Sequence, residues 1–285
     1  MPIQQITIVG TGLIGGSLGL ALKQSGFAGT IVGCDKRAVL DIAQASGAID
    51  RAEADLERAV VGSDVVVLAT PVGCILAQME TLAALLPPTA LITDAGSTKQ
   101  KLAERSRELF GDQAAARFLP GHPMAGKELG GIENADANLL RDAVWLITPI
   151  DPTRPPTPLQ SEYMDLLQAI GTRVTTMDAE RHDRLCAWVS HLPQMIATAL
   201  ASALREELGD DEALSQIGGR ALREMTRIAH SPYTMWRDIA LTNTQNIDDA
   251  LQRFEQQLAH LRENLRGPAL RELFESANKF GNRSD

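Results

Sequence analysis

Ile6-Thr7-Ile8-Val9-Gly10-Thr11-Gly12-Leu13-Ile14-Gly15-Gly16-Ser17-Leu18 runs from an apolar β-branched segment through GxGxxG into an amphipathic helical pattern. That order is the strand–turn–helix of a dinucleotide site. Gly10 permits the tight turn, Gly12 lets the backbone approach a pyrophosphate, and Gly15 allows close packing of helix on strand. The helix opening at Leu13 and Ile14 turns free N–H groups and the positive end of its dipole to the same point, so no side chain is needed to hold the phosphates. Gly10, Gly12, Leu13, Ile14 and Gly15 are the expected cofactor-binding loop.

Outward from this loop, short β-branched runs alternate with helical patterns as far as about Met177: Thr30 to Cys34, Val65 to Ala69, Leu91 to Thr93, Arg117 to Leu119, Val144 to Thr148 and Arg173 to Thr176. Such alternation predicts a parallel sheet covered by helices. The proline-rich stretch 148–158 reads as a surface connection, because its prolines neither continue a helix nor join a central strand. Beyond Asp178 the strand signals stop. Leu185, Trp188, Val189, Leu192, Ile196 and Leu200 recur at helical spacing on one face, and further helices are expected over Glu212 to Ile228, Tyr233 to Thr242, Ile247 to Leu265 and Ala269 to Phe280. The expectation is an α/β Rossmann-type dinucleotide-binding domain over residues 1–178 and an all-α domain over 179–285.

With 285 residues, 44% of them hydrophobic, and a net charge of -9, the chain carries an ordinary globular core and no basic surface suited to nucleic acid. Cys34, Cys74 and Cys186 are scattered and form no CxxC pair or zinc-ligand spacing, so no metal is expected and a reducing, cytoplasmic location fits best. No apolar run is long enough for a membrane span.

The second expected strand ends at Asp35, whose carboxylate suits ribose hydroxyls and repels a 2′-phosphate, favouring NAD. Lys36 and Arg37 follow directly and keep NADP open. Thr70 and Pro71 follow the third strand run, at the sheet edge where open α/β folds bind ligands, and are read as contacts on the nicotinamide side.

Three segments carry the chemistry: Asp94-Ala95-Gly96-Ser97-Thr98-Lys99, Gly121-His122-Pro123-Met124-Ala125-Gly126 and Ser190-His191-Leu192-Pro193-Gln194. Each has an ordinary structural reading. Ser97 with Gln100 spells a capping box, and His191 reads as a buried core histidine.

Together with Thr226-Arg227-Ile228-Ala229, Ser231, Pro232 and Trp236, these segments resemble the prephenate and arogenate dehydrogenase family of tyrosine biosynthesis. The resemblance implies a helical domain that forms a homodimer, and a cleft between domains that binds prephenate or arogenate. It also implies an oxidative decarboxylation that passes hydride to NAD. By the same resemblance His122 accepts or hydrogen-bonds the ring hydroxyl, Ser97 orients His122 or that hydroxyl, and Arg227 clamps a carboxylate. His191 lines or orders the cleft, and Glu128 matches an acidic residue at the cleft entrance of some members. Where some relatives have a further histidine, this chain has Gln194.

Two alternatives stand beside this reading. A β-hydroxyacid dehydrogenase of similar layout would use a lysine on the first helix of its second domain, but residues 180–200 contain none and offer His182 and His191. A non-catalytic NAD-sensing regulator would keep the glycine loop without needing Ser97, His122 and Arg227 together.

Overall fold

The computed structural model describes residues 2–127, 129–209 and 216–281. Six parallel strands, β1 (Gln5–Val9), β2 (Thr30–Cys34), β3 (Arg51–Glu53), β4 (Val65–Leu68), β5 (Leu91–Asp94) and β6 (Phe118–Leu119), lie in the order β3-β2-β1-β4-β5-β6. Helices α1 (Leu13–Gln24), α2 (Arg37–Ala45), α3 (Leu56–Ala59), α4 (Val72–Leu85), α5 (Gln100–Phe110) and α6 (Ala114–Arg117) connect them. Helices cover both faces. Ile6, Ile8, Val65 and Val67 belong to one buried cluster and Val9, Val32, Val66 and Leu68 to another. A strand buried on both faces reads as an unbroken apolar run, which is why Val65-Val66-Val67-Leu68 shows no alternation. The strand order reverses between β1 and β4, creating a crevice at their carboxyl ends.

The glycine loop sits at that crevice. Gly10 has φ +93°, and a Cβ there would lie 2.8 Å from the Ala69 backbone. A Cβ on Gly15 would lie 2.0 Å from the Gly10 carbonyl oxygen. Gly15→Ala must therefore push α1 off β1, and we expect it to cost about 1–3 kcal/mol of stability, read as a lower urea midpoint. An unchanged midpoint would show that α1 shifts freely.

The expectation of a single parallel sheet needs correction. The Val144 and Arg173 runs, with a strand not anticipated at all, form a separate three-stranded sheet: β7 (Gly121–Pro123), β8 (Val144–Ile147) and β9 (Arg173–Thr176). β7 is antiparallel to β8, and β8 is parallel to β9. The cause is Pro120, which has no N–H to continue the ladder after Leu119. The chain turns there and pairs His122 with Leu146. β3, three residues bearing two charges, also gave no strand signal.

α7 (Pro158–Ala169) precedes β9 and starts with a capping box between Thr157 and Gln160, so the end of the proline-rich stretch opens a helix. After β9 the described residues are helical: α8 (Ala179–Cys186), a π-helical turn over Ala187–His191, α9 (Leu192–Leu208), α10 (Arg220–Thr226), a 3-10 turn over Arg227–His230, α11 (Tyr233–Thr242), α12 (Thr244–Glu263) and α13 (Ala269–Gly281). Residues 212–215 of the expected Glu212 to Ile228 helix lie outside the described residues. The expected apolar stripe is rotated. Leu185, Trp188 and Val189 are exposed, while Cys186, Ala187, His191, Leu192, Gln194 and Ala197 are buried. Pro193 explains this, since it has no N–H for the Val189 carbonyl; the helix widens to a π turn, and the extra residue swings the pattern round. No described helix is long and apolar enough to cross a membrane.

Candidate active site

A cavity of about 650 Å³ opens where β1, β4 and β5 end. Leu13 and Ile14 line it from the glycine loop, Thr70 and Pro71 from the turn after β4, Ser97 from the turn after β5, and His122 from β7. Ser190, Ser231 and Trp236 close it from the helical part. The cofactor loop and both expected catalytic side chains thus face one space between sheet and helices.

The cofactor side fits a dinucleotide. Nothing lies within 4 Å of where a Cβ on Gly12 would stand, so the backbone there is open to a diphosphate. α1 has no acidic residue in its first turn and no side chain capping it, leaving its dipole for an anion. Asp35 is half-buried just after β2. Its carboxylate accepts the Thr11 N–H at 2.8 Å and the Lys36 N–H at 2.7 Å, which ties the acid to the glycine loop while lone pairs stay available for ribose hydroxyls. Lys36 is exposed at the start of α2. The Thr70 hydroxyl donates to Gln78 Oε1 at 2.8 Å.

His122 is half-buried, and its Nδ1 lies 2.9 Å from His182 Nε2 on α8. His182 Nδ1 lies 2.8 Å from Asp183 Oδ1. Asp183 also accepts the backbone N–H groups of Lys99 at 2.7 Å and Gln100 at 2.9 Å. The start of α5 is therefore held by a carboxylate from α8, and the Ser97–Gln100 capping box does not form; α5 begins three residues after Ser97. This frees the half-buried Ser97 to face the cavity.

Beneath His122, Lys99 Nζ pairs with the Asp94 carboxylate and donates to the Gly121 carbonyl at 2.7 Å. Asp94 accepts the N–H groups of Gly96 at 2.8 Å and Gly121 at 3.2 Å. Burial raises the Asp94 carboxyl and lowers the Lys99 ammonium, each partly offset by the other. Burial first, and then the neighbouring basic groups His182, Lys99 and His191, which disfavour a further proton on the ring, hold His122 well below the usual imidazole range, so the ring is neutral at pH 7. Burial likewise brings His191 down to about 4 and the Cys186 thiol up to about 12.

The remaining expected residues fall as follows. His191 closes the π turn, fully buried. Its Nδ1 lies 3.2 Å from Asn243 Nδ2, its ring stands edge-on to Trp236 at 5.9 Å, and its Nε2 has no partner among the described residues. Arg227 is exposed at the start of its 3-10 turn and does not line the cavity, although Ser231 and Pro232 do. Glu128 lies outside the described residues. The sequence reading missed Asp94, Lys99, Asp183 and Asn243 as framework of the site, and met His182 only in rejecting a lysine. An adjacent His-Asp pair on a short amphipathic helix was the available signal.

A Rossmann sheet with a glycine loop, an acid after β2, and a cavity holding serine and histidine against a helical domain defines a dinucleotide-dependent dehydrogenase. Prephenate dehydrogenase, nucleotide-binding domain, matches residues 18–176, and Prephenate dehydrogenase, dimerization domain, matches residues 178–278. The chain belongs to the prephenate dehydrogenase family. It is 30% identical to a prephenate dehydrogenase of Lactococcus lactis over 90% of this chain and 70% of that protein. The crystal structure of prephenate dehydrogenase from A. aeolicus with hydroxyphenyl propionate and NAD+ superposes with a TM-score of 0.87 at 32% identity, covering 100% of this chain and 98% of that one. Synechocystis arogenate dehydrogenase gives a TM-score of 0.78 at 29% identity, covering 99% of this chain and 100% of that one.

Proposed function

We propose that the chain converts prephenate to 4-hydroxyphenylpyruvate, or arogenate to tyrosine, with NAD, as a cytoplasmic homodimer. The observation that carries this reading is the cavity shared by the glycine loop, Ser97 and a neutral His122 in a chain of this family. The pyrophosphate sits on Gly10, Gly12, Leu13, Ile14 and Gly15, the ribose on Asp35, and the nicotinamide side against Thr70 and Pro71. Bound NAD would take the C4 hydrogen as hydride. His122 removes the proton of the C4 hydroxyl, the C1 carboxylate leaves as CO2 as the ring becomes aromatic, and His122 returns the proton to the phenolate oxygen. No proton is released overall. Ser97 orients the hydroxyl or His122.

The substrate's two carboxylates need donors. By the family resemblance Arg227 provides a planar fork for one of them and Glu128 is assigned to the cleft entrance, while His191, fully buried edge-on to the cavity-lining Trp236, orders the cleft without touching substrate. Apolar exposure supports the dimer. Trp188, Val189, Ile217, Tyr233, Leu241 and Phe274 are all exposed, while the buried core of the helical domain centres on Ala187, Ile239 and Ile247. These exposed side chains fit the match of residues 178–278 to a dimerization domain, which would cover them in the assembly. We put the domain boundary between residues 178 and 179, a division supported by the start of α8, which Asp178 caps.

Purified protein with NAD and prephenate or arogenate should generate absorbance at 340 nm, with NADP a poorer cofactor because of Asp35; no turnover of either substrate sinks the reading. Arg227→Ala should raise KM by about 10-fold or more with kcat largely kept, as expected for a clamp equal in ground and transition states. A collapsed kcat at unchanged KM would remove Arg227 from that role.

A further inference from the structure

We propose that His182 and Asp183 are positioning residues that fix the tautomer of His122, so that its Nε2 lone pair faces the substrate hydroxyl. This rests on the reading of His122 as the base, and follows from counting protons along one chain of contacts. Asp183 Oδ1 accepts from Lys99 N–H and Oδ2 from Gln100 N–H. Both carboxylate oxygens already act as acceptors, and a carboxylate is acceptor-only. His182 Nδ1, 2.8 Å from Oδ1, must therefore carry the hydrogen, because the other tautomer would aim a lone pair at an anion. In the neutral imidazole that leaves His182 Nε2 as an acceptor. The Cys186 thiol, protonated because burial pushes it up to about 12, approaches the same nitrogen at 3.5 Å, as a weak S–H donor would. His122 Nδ1, 2.9 Å from His182 Nε2, must then donate. The free lone pair of His122 is forced onto Nε2, the nitrogen left to face the cavity.

Asp183 and His182 are fully buried, so neither gains a water in place of its partner at low cost. Asp183 has a second effect. By holding the first N–H groups of α5 it also sets the turn carrying Ser97, so one carboxylate from the helical domain aligns both catalytic side chains. The logic is that of a base oriented by a third group, in which loss of tautomer control costs up to about 10⁴-fold in rate in the serine-protease example.

Two variants and one spectrum test this. In ¹⁵N-histidine-labelled protein, with His122 assigned by difference against His122→Asn, the resting enzyme should show hydrogen on Nδ1 and none on Nε2. His182→Leu, which cannot accept, should give a mixed or reversed tautomer and lower kcat about 10- to 1000-fold, with KM within about 3-fold and NAD affinity retained. His182→Gln keeps an acceptor carbonyl and should recover most of that loss; a merely structural histidine would show no such rescue. Nε2-protonated His122 in the unaltered protein overturns the proposal, as does a His182→Leu enzyme at full kcat. The spectrum needs no substrate, so absence of turnover would refute the dehydrogenase reading while leaving this assignment separately decided. If His182→Leu does not fold, the spectrum of the unaltered protein and the kcat of His182→Gln still decide it.

Discussion

His122→Asn is expected to lower kcat by about 10²- to 10⁴-fold, the usual contribution of one positioned general base, with KM changed little. Asparagine fills nearly the same space on β7 and can still hydrogen-bond a hydroxyl, but cannot take its proton, so the loss falls on the chemical step. Stopped-flow reduction of NAD measures it. Activity within 3-fold of the unaltered enzyme would take His122 out of the mechanism.

The pH dependence has a definite sign. A base works when unprotonated, and His122 is held well below 6.5, first by burial and then by His182, Lys99 and His191. The acidic limb of kcat/KM should therefore fall below pH 6.5. Stability follows the same direction. Folded His122 and His191 have pKa values below their unfolded ones, so the unfolded chain binds more protons beneath pH 6.5, and stability declines as pH drops from there toward about 4, where His191 titrates.

The dinucleotide half was readable because its determinants are local. A strand, three glycines and a helix start follow one another without a gap, and each glycine's task is set by backbone space alone. Asp35 was readable for the same reason, being a fixed distance along the next strand. The second sheet was not, because β7 is three residues long and owes its direction to Pro120 and to pairing with Leu146, more than twenty residues away. The stripe on the helical domain failed for a related cause: one proline at position 193 changes the helical period, and a fixed 3.6-residue count then assigns Trp188 and Val189 to the wrong face. The catalytic framework is the most hidden part. Lys99 and Asp94 stand inside a motif that was read for its serine, and the Asp183 carboxylate meets α5 from over eighty residues away, where Ser97 had offered a plausible local cap. Local rules named a cap that the tertiary structure supplies from elsewhere.

Lys99→Met should cost about 3–5 kcal/mol of folding free energy, the scale for removing one partner of a buried ion pair. Lys99 and Asp94 are both fully inaccessible. Without the ammonium, Asp94 keeps the N–H groups of Gly96 and Gly121 but no countercharge, and the Gly121 carbonyl loses its donor. Methionine fills the volume of the lysine stem, so the loss reports charge and hydrogen bonding more than packing. The deficit should shrink as pH is lowered, since a folded-state Asp94 raised above its unfolded value is destabilising while ionised and is relieved by protonation. Asp94→Asn combined with Lys99→Met should recover part of the loss, because the two side chains share one network. Urea titrations of both variants and the unaltered protein at pH 5 and 7 measure this, and an unchanged midpoint for Lys99→Met would mean that the buried pair contributes nothing. The effect should reach activity as well. Asp94 and Lys99 grip the N–H and the carbonyl of the residue preceding His122, and Asp94 also grips the N–H of the residue preceding Ser97, so loosening this pair lets both side chains drift before any contact with substrate is altered.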